Sequence, residues 1–403
     1  MIADKKKQNL LVALCCIAYF SSYMTRLNFA ASILAIVEDL GVAKTALGMA
    51  VTGLSITYGV GQLLSGVMGD RIRPDRLMVA GLICSGVCNL MIPLLRSAGL
   101  MTLVWCVNGF AQAMLWPPMT RILAANLTPE KYKKACVAVS NSASVATILI
   151  YLIIPVILSV SSWRLVFVLS GLIALSVAVV WATQYGRVAQ PVPVRQLRAQ
   201  QRGGMKQALS YMVRMGALPI LLIILLQGIM RDGVTTWMPS YIDEVYHLGA
   251  SVSILSSAVL PVISILSVSA SSWIHSRAGD EFRGAVTIWI IALACVLPLM
   301  FFYSSQAVLS VLLMSVLTGC MHGVNLMFIS IYPSRFSDTP YMATIAGIVN
   351  AFTYVGASIS NYGFAALSEN YGWGVTIVFW AAVVLAGLLL SVYCARKHPK
   401  KAV

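Results

Sequence analysis

Charged residues are scarce in this chain: 10% of its 403 residues, against about 25% in a typical soluble domain. With 59% of the residues hydrophobic, this excludes an ordinary water-soluble globular protein. Acids are scarcer still, 13 Asp and Glu against 28 Lys and Arg. Inside the apolar stretches almost the only acid is Asp232. The four His and nine Cys fall into no metal-ligand spacing. Cysteines 15, 16, 84, 88, 106, 136, 295 and 320 lie within or at the edges of apolar stretches and read as small apolar fillers, not a disulfide framework. No nucleophile–base pair and no phosphate-cradling glycine loop is present, so an enzyme ranks last among the function classes, and no cofactor is expected. The basic start and apolar run mimic a signal peptide. The run is too long, carries Arg26, and lacks a clear small-residue cleavage site.

What is abundant is apolar sequence of spanning length. Twelve stretches cover residues 10–36, 45–68, 77–96, 100–125, 135–160, 164–185, 217–242, 249–274, 285–304, 306–332, 342–367 and 374–395. Each can cross a hydrocarbon core of about 30 Å at roughly 1.5 Å per residue. Apolar runs this long do not alternate as barrel strands do, which leaves helices. The expected fold class is an all-α membrane protein of twelve transmembrane helices.

The net charge of +15 is topological. Basic residues gather at 5–7, 71–76, 131–134, 187–214, 277–283, 335 and 396–401, which places 22 of the 28 on one side. The positive-inside rule makes that side cytoplasmic, with both termini there. Nucleic-acid binding is not expected.

Residues 186–216 are polar, basic and Pro/Gly-containing, and read as a linker, with Lys206–Met215 a candidate surface helix. They divide a first six-helix bundle, 1–185, from a second, 217–403. The halves echo each other. Arg26 and Arg231 stand 205 positions apart, and Ser162-Trp163 is answered by Gly372-Trp373 at 210. Repeats on this scale point to two bundles about a pseudo-two-fold axis, with substrate near the bilayer midplane.

Arg26 and Arg231 are the main functional signal. A cation in hydrocarbon costs at least about 2.5–3.5 kcal/mol on insertion scales, so such a residue usually faces a bundle interior or a water-filled cavity. A guanidinium stays charged and presents a planar fork of donors. Two forks converging on one dianion satisfy several oxygens at once. Helical spacing sets further polar side chains beside them: Tyr19 and Tyr23 in the first stretch, Tyr58 and Gln62 in the second, Asn108 and Gln112 in the fourth, and Ser140, Ser144, Thr147 and Tyr151 in the fifth. The second half adds Gln227 and Thr235, Thr318, His322 and Asn325, and Asn350, Tyr354 and Asn361. Trp237, Tyr241 and Tyr246 read as aromatic-belt anchors.

The loop GDRIRPDR at 69–76 is typical of the major facilitator superfamily. Four segments resemble its organophosphate:phosphate antiporter branch, which includes glycerol-3-phosphate and hexose-phosphate carriers: YMTRLNFAA from Tyr23, Tyr58-Gly through Arg71, WPPMTR from Trp116, and RDGVTTWMPSY from Arg231. The resemblance runs from about residue 10 to 395. It implies the major facilitator fold, rocker-switch alternating access, and exchange of a phosphate ester for inorganic phosphate. Arg26 and Arg231 match the family's two substrate-binding arginines. Tyr23, Tyr58, Gln62, Ser144, His322, Asn325, Asn350 and Tyr354 are the further cavity candidates. The resemblance makes Asp70 and Arg71 gate residues. Arg121, matched in the family, divides between gate support and snorkelling to headgroups. Asp232 neutralises Arg231 or a neighbouring helix.

Two departures bear on the substrate. Gln62 stands where glycerol-3-phosphate carriers have a lysine, and Ser144 where they have a histidine. A less positive cavity suits a larger or less charged ligand. His322 aligns roughly with a tyrosine of those carriers; contact with phosphate, proton transfer and simple packing all remain open to it. Two alternatives stand beside the antiporter: a proton-coupled symporter of organic anions such as sugar acids, and a non-transporting sugar-phosphate receptor. The expected partners are a small anionic substrate, inorganic phosphate and the lipid bilayer. The expected setting is a monomer in a bacterial inner membrane.

Overall fold

The computed structural model describes residues 4–68, 72–189, 209, 210, 212, 214, 217–336 and 342–397. They divide into two compact units, Met1–Ala199 and Gln200–Val403. The expected linker and its surface helix fall largely outside the described residues, as do Asp70 and Arg71.

Every long apolar stretch becomes a helix, because only intrahelical bonds satisfy an open chain's peptide groups in hydrocarbon. In the first unit these are α1 (Lys5–Leu40), α2 (Lys44–Met68), α3 (Pro74–Leu94), α4 (Ala98–Asn126), α5 (Pro129–Val160) and α6 (Trp163–Val188). In the second they are α7 (Leu218–Tyr246), α8 (Ala250–Ala278), α9 (Glu281–Phe302) and α10 (Ala307–Ile331), followed by Met342–Lys397. That last segment is two helices, α11 and α12, divided at Gly372, whose φ of 79° and ψ of 171° are open to glycine and strained for other residues. Ten helices among the described residues, the joined pair counted as one, have the length and composition of a membrane span. With α2 and the division at Gly372, the twelve expected stretches are all accounted for.

Local chemistry fixes the ends and breaks. Asp4 caps α1 by accepting from the Lys6 amide at 2.8 Å, and Gly41 closes it in the left-handed region. Helix α4 is interrupted at Met114 and Leu115, before Trp116-Pro117-Pro118, because two successive prolines lack amide donors. The C-terminal end of α10 changes to a π-helix over Leu326–Ile331 and then a 3-10 turn over Tyr332–Phe336.

The two units use one packing plan. In the first, α1 packs on α5 and α6, α2 on α4, and α3 on α6; in the second, α7 packs on α11 and α12, α8 on α10, and α9 on α12. Small residues allow the closest approaches. A Cβ on Gly228 of α7 would collide with the Thr353 carbonyl of α11, and one on Gly356 of α11 with the Leu225 carbonyl of α7. Large apolar side chains such as Leu103, Val156, Leu266 and Leu389 are more than 60% exposed. A solvated protein rarely presents so much apolar surface; lipid is its natural cover.

Candidate functional site

In the first unit, α1 presents two faces. Its back carries Ser22, Thr25 and Asn28, which lock it to α3 and α4 through a buried hydrogen-bond network. Ser22 donates to Gln112 Oε1 at 2.6 Å. Gln112 Nε2 donates to Thr25 Oγ1 at 2.9 Å and Ser85 Oγ at 2.8 Å. The Thr25 carbonyl accepts from Asn89 and Asn108, each at 3.0 Å. Asn28 donates to Asn89 Oδ1 at 2.7 Å. This corrects the expectation for Asn108 and Gln112. They do not line a wet interior; they are buried and occupied in holding α1.

The opposite face carries Tyr19, Tyr23 and Arg26, all half-buried. The Arg26 guanidinium carbon stands 4.4 Å from the ring centre of Tyr58 on α2, within cation–π range. Tyr19 meets the Tyr23 ring edge-on at 5.2 Å and the Trp116 ring at 5.0 Å. Gln62 follows Tyr58 by one helical turn and is half-buried, as are Ser144 and Arg121. Trp116, which sequence reasoning does not single out, sits at the α4 break beside Tyr19 and joins this aromatic wall.

In the second unit, Arg231 pairs with its neighbour, Nη2 to Asp232 Oδ2 at 2.7 Å, with side chains 15% and 28% exposed. His322 of α10 is half-buried. Asn325, three residues on, ends the α-helical part of α10 just before the π segment. Asn350 and Tyr354 of α11 are half-buried one turn apart. Gln227 takes a structural role instead, its Nε2 donating to the Met321 carbonyl at 3.0 Å. The Trp237 indole donates to the main-chain carbonyl of Asn361 at 3.0 Å. Trp237 and Tyr241 are fully buried, so neither is a belt anchor. The Tyr241 hydroxyl donates to the Tyr303 carbonyl at 2.5 Å, which gives its polar tip a partner inside the protein.

Charge clusters sit at the basic end of each unit. Arg73 donates to both carboxylate oxygens of Asp75, at 3.1 and 2.8 Å, and that carboxylate raises the Arg73 pKa. In the second unit Arg335 donates to Asp280 at 2.7 Å and pairs with Glu281. Burial works to lower the Arg335 pKa, but the bonds and charges of Glu281 and Asp280 outweigh it and raise it. Asp280 also caps α9, accepting from the Phe282 amide at 2.7 Å. Sequence reasoning misses this triad as well. A signal for its acids exists: Asp280 as a helix cap, followed by an acid in the first turn of an apolar run, is a helix-start signature.

An all-helical, multi-pass architecture of two units, with one intramembrane arginine in each, defines the class: a membrane transporter and not an enzyme. A model of the Major Facilitator Superfamily matches residues 15–361, and the chain belongs to that superfamily. The probable hexose phosphate transport protein of Chlamydia pneumoniae is 22% identical over 401 residues, 93% of this chain and 88% of that protein. The membrane sensor protein UhpC of Salmonella typhimurium is 23% identical over 405 residues, 96% of this chain and 91% of that protein. The crystal structure of a mutant of the nucleoside transporter NupG matches the fold with a TM-score of 0.79 at 13% identity, over 96% of this chain and 99% of that one.

Proposed function

We propose that the chain exchanges an organic phosphate ester, a sugar or glycerol phosphate, for inorganic phosphate by alternating access in a bacterial inner membrane, with both termini cytoplasmic. The observation that carries this reading is the repeat-related pair Arg26 and Arg231, one half-buried guanidinium per unit inside a helix of membrane-spanning length. Each supplies a planar fork to the phosphoryl group. Tyr23, Tyr58, Gln62 and Ser144 from the first unit, and His322, Asn325, Asn350 and Tyr354 from the second, complete the binding surface. Asp232 holds Arg231 when no anion is bound and releases it to the substrate. Asp70, Arg71 and Arg121 act on the gate. The hexose phosphate relative supports an ester cargo.

Radiolabelled phosphate uptake into proteoliposomes tests this. Uptake into vesicles preloaded with phosphate, absent from unloaded vesicles and insensitive to a pH gradient, is the expected result. Uptake of a sugar acid driven by a pH gradient, with no phosphate exchange, overturns it in favour of proton symport. A second reading, a receptor that binds sugar phosphate without moving it, is favoured by the sensor relative, which is as similar as the transport protein. Saturable ester binding with no exchange selects that reading.

A further inference from the structure

The second unit carries a crevice outside the arginine site. It measures about 490 Å³ between α9 and α12, lined by Arg283, Val286, Thr287, Val392, Ala395 and Arg396. Arg283 and Arg396 are both exposed, and no ion pair ties either to another described residue. The lining therefore sets two guanidinium groups at the basic end of the unit beside an apolar wall. Beyond that wall the same helices expose a run of large apolar side chains: Ile290 on α9 at 52%, and Leu385, Leu389 and Tyr393 on α12 at 45%, 62% and 51%. On α12 these residues and Arg396 recur at three- and four-residue spacing, so one face runs from hydrocarbon to charge.

We infer that this crevice binds a phospholipid with an anionic headgroup, its phosphate between Arg283 and Arg396 and its acyl chains along Ile290, Leu385 and Leu389. A guanidinium fork suits a phosphate, and basic pockets between helices at the cytoplasmic level are where anionic headgroups dock. A soluble phosphate ion would leave the apolar run uncovered, which is why the occupant is a lipid. The first unit gives an internal contrast. Its repeat-related crevice, between α3 and α6, measures about 410 Å³ and is lined by Asp75, Arg76, Trp181 and Tyr185 among others. There the mouth carries one arginine, Arg76, in place of two, and the Asp75 carboxylate beside it is already paired with Arg73; a headgroup phosphate finds no second fork, so no equivalent site is expected.

Native mass spectrometry of the full chain released from detergent, titrated with phosphatidylglycerol or with phosphatidylcholine, tests the inference. Adducts with phosphatidylglycerol are expected at concentrations at least tenfold below those needed for phosphatidylcholine. The double variant Arg283→Gln/Arg396→Gln is expected to lose that preference. A control removing two other exposed basic residues from the same end, Arg187→Gln/Arg277→Gln, is expected to keep it. Competition with millimolar inorganic phosphate separates the sources: a retained lipid adduct supports the inference, and displacement by phosphate overturns it. Equal lipid preference in the crevice variant and the wild type also overturns it. Unchanged melting temperatures of both variants in phosphatidylcholine nanodiscs establish that folding is not what changed.

Discussion

Trp373 donates its indole N–H to Glu244 at 2.8 Å, fastening the start of α12 to the end of α7. Trp163 makes the same bond to Asp39 at 3.2 Å, fastening the start of α6 to the end of α1. Asp39 and Glu244 stand 205 positions apart, as do Arg26 and Arg231, and as do Asp75 and Asp280, the acids that open α3 and precede α9. The repeat is therefore physical as well as textual. In both units the helix bearing the central arginine is held at the same point by the same kind of bond. At Asp39 the bonds from Arg164 and Trp163 lie at the solvent-exposed helix end.

Replacing either tryptophan by phenylalanine keeps an aromatic ring of smaller volume and removes the donor. Trp163→Phe and Trp373→Phe are each expected to lower the melting temperature by roughly 2–4 °C. A thermal-shift assay on protein in detergent checks this. An unchanged melting temperature in both would mean that the bonds contribute nothing to holding the helices.

Tyr58 is expected to act through its ring. With the Arg26 guanidinium 4.4 Å from the ring centre, Tyr58→Phe retains the contact and leaves the apparent affinity for substrate near wild type. Tyr58→Leu removes about 1 kcal/mol of positioning and raises the apparent KM for exchange roughly five-fold. Transport kinetics on the two variants separate a ring effect from a hydroxyl effect; an equal loss in both would favour direct bonding by the phenol.

Asn108 is expected to matter for folding and little for binding. It donates to the Thr25 carbonyl and accepts from Ser85 at 2.6 Å. Asn108→Leu leaves buried polar groups without partners and costs about 1–3 kcal/mol per stranded group. Chemical denaturation is the check for stability. Surviving Asn108→Leu protein should bind substrate with near wild-type affinity. A large affinity loss without a stability loss would return Asn108 to the cavity.

The triad at Arg335 makes an order-dependent prediction. Arg335→Gln strands Asp280 and Glu281, whose side chains are 5% and 6% exposed, and should cost about 3 kcal/mol. Adding Glu281→Gln in that background is expected to recover part of the loss, because one stranded charge is gone. Further destabilisation on adding Glu281→Gln would show that the carboxylate is stabilised by something other than Arg335.

The helices were legible because hydrocarbon leaves few options: apolar runs of spanning length must be helical, and the half-buried Arg26 and Arg231 stand out in such runs as cations. What a polar residue on such a helix faces was less legible. Tyr23 and Asn108 carry similar signals in sequence, yet Tyr23 shares the Arg26 face while Asn108 lies in the buried seam with Thr25 and Ser85. Periodicity sets which residues share a stripe but not whether that stripe meets water or another helix. Trp237 and Tyr241 read as anchors by their place near a helix end, but their polar atoms find carbonyls within the unit. The Arg335 triad joins residues 54 and 55 positions apart, a distance over which sequence spacing carries no geometry.

The central claim is that Arg26 and Arg231 both bind the phosphoryl group through the guanidinium fork. Phosphate exchange by Arg26→Lys and Arg231→Lys tests it most directly, since lysine keeps the charge and loses the fork. The account predicts that each substitution abolishes exchange in folded, reconstituted protein, with the wild type active alongside. Wild-type exchange rates in either lysine variant would contradict it.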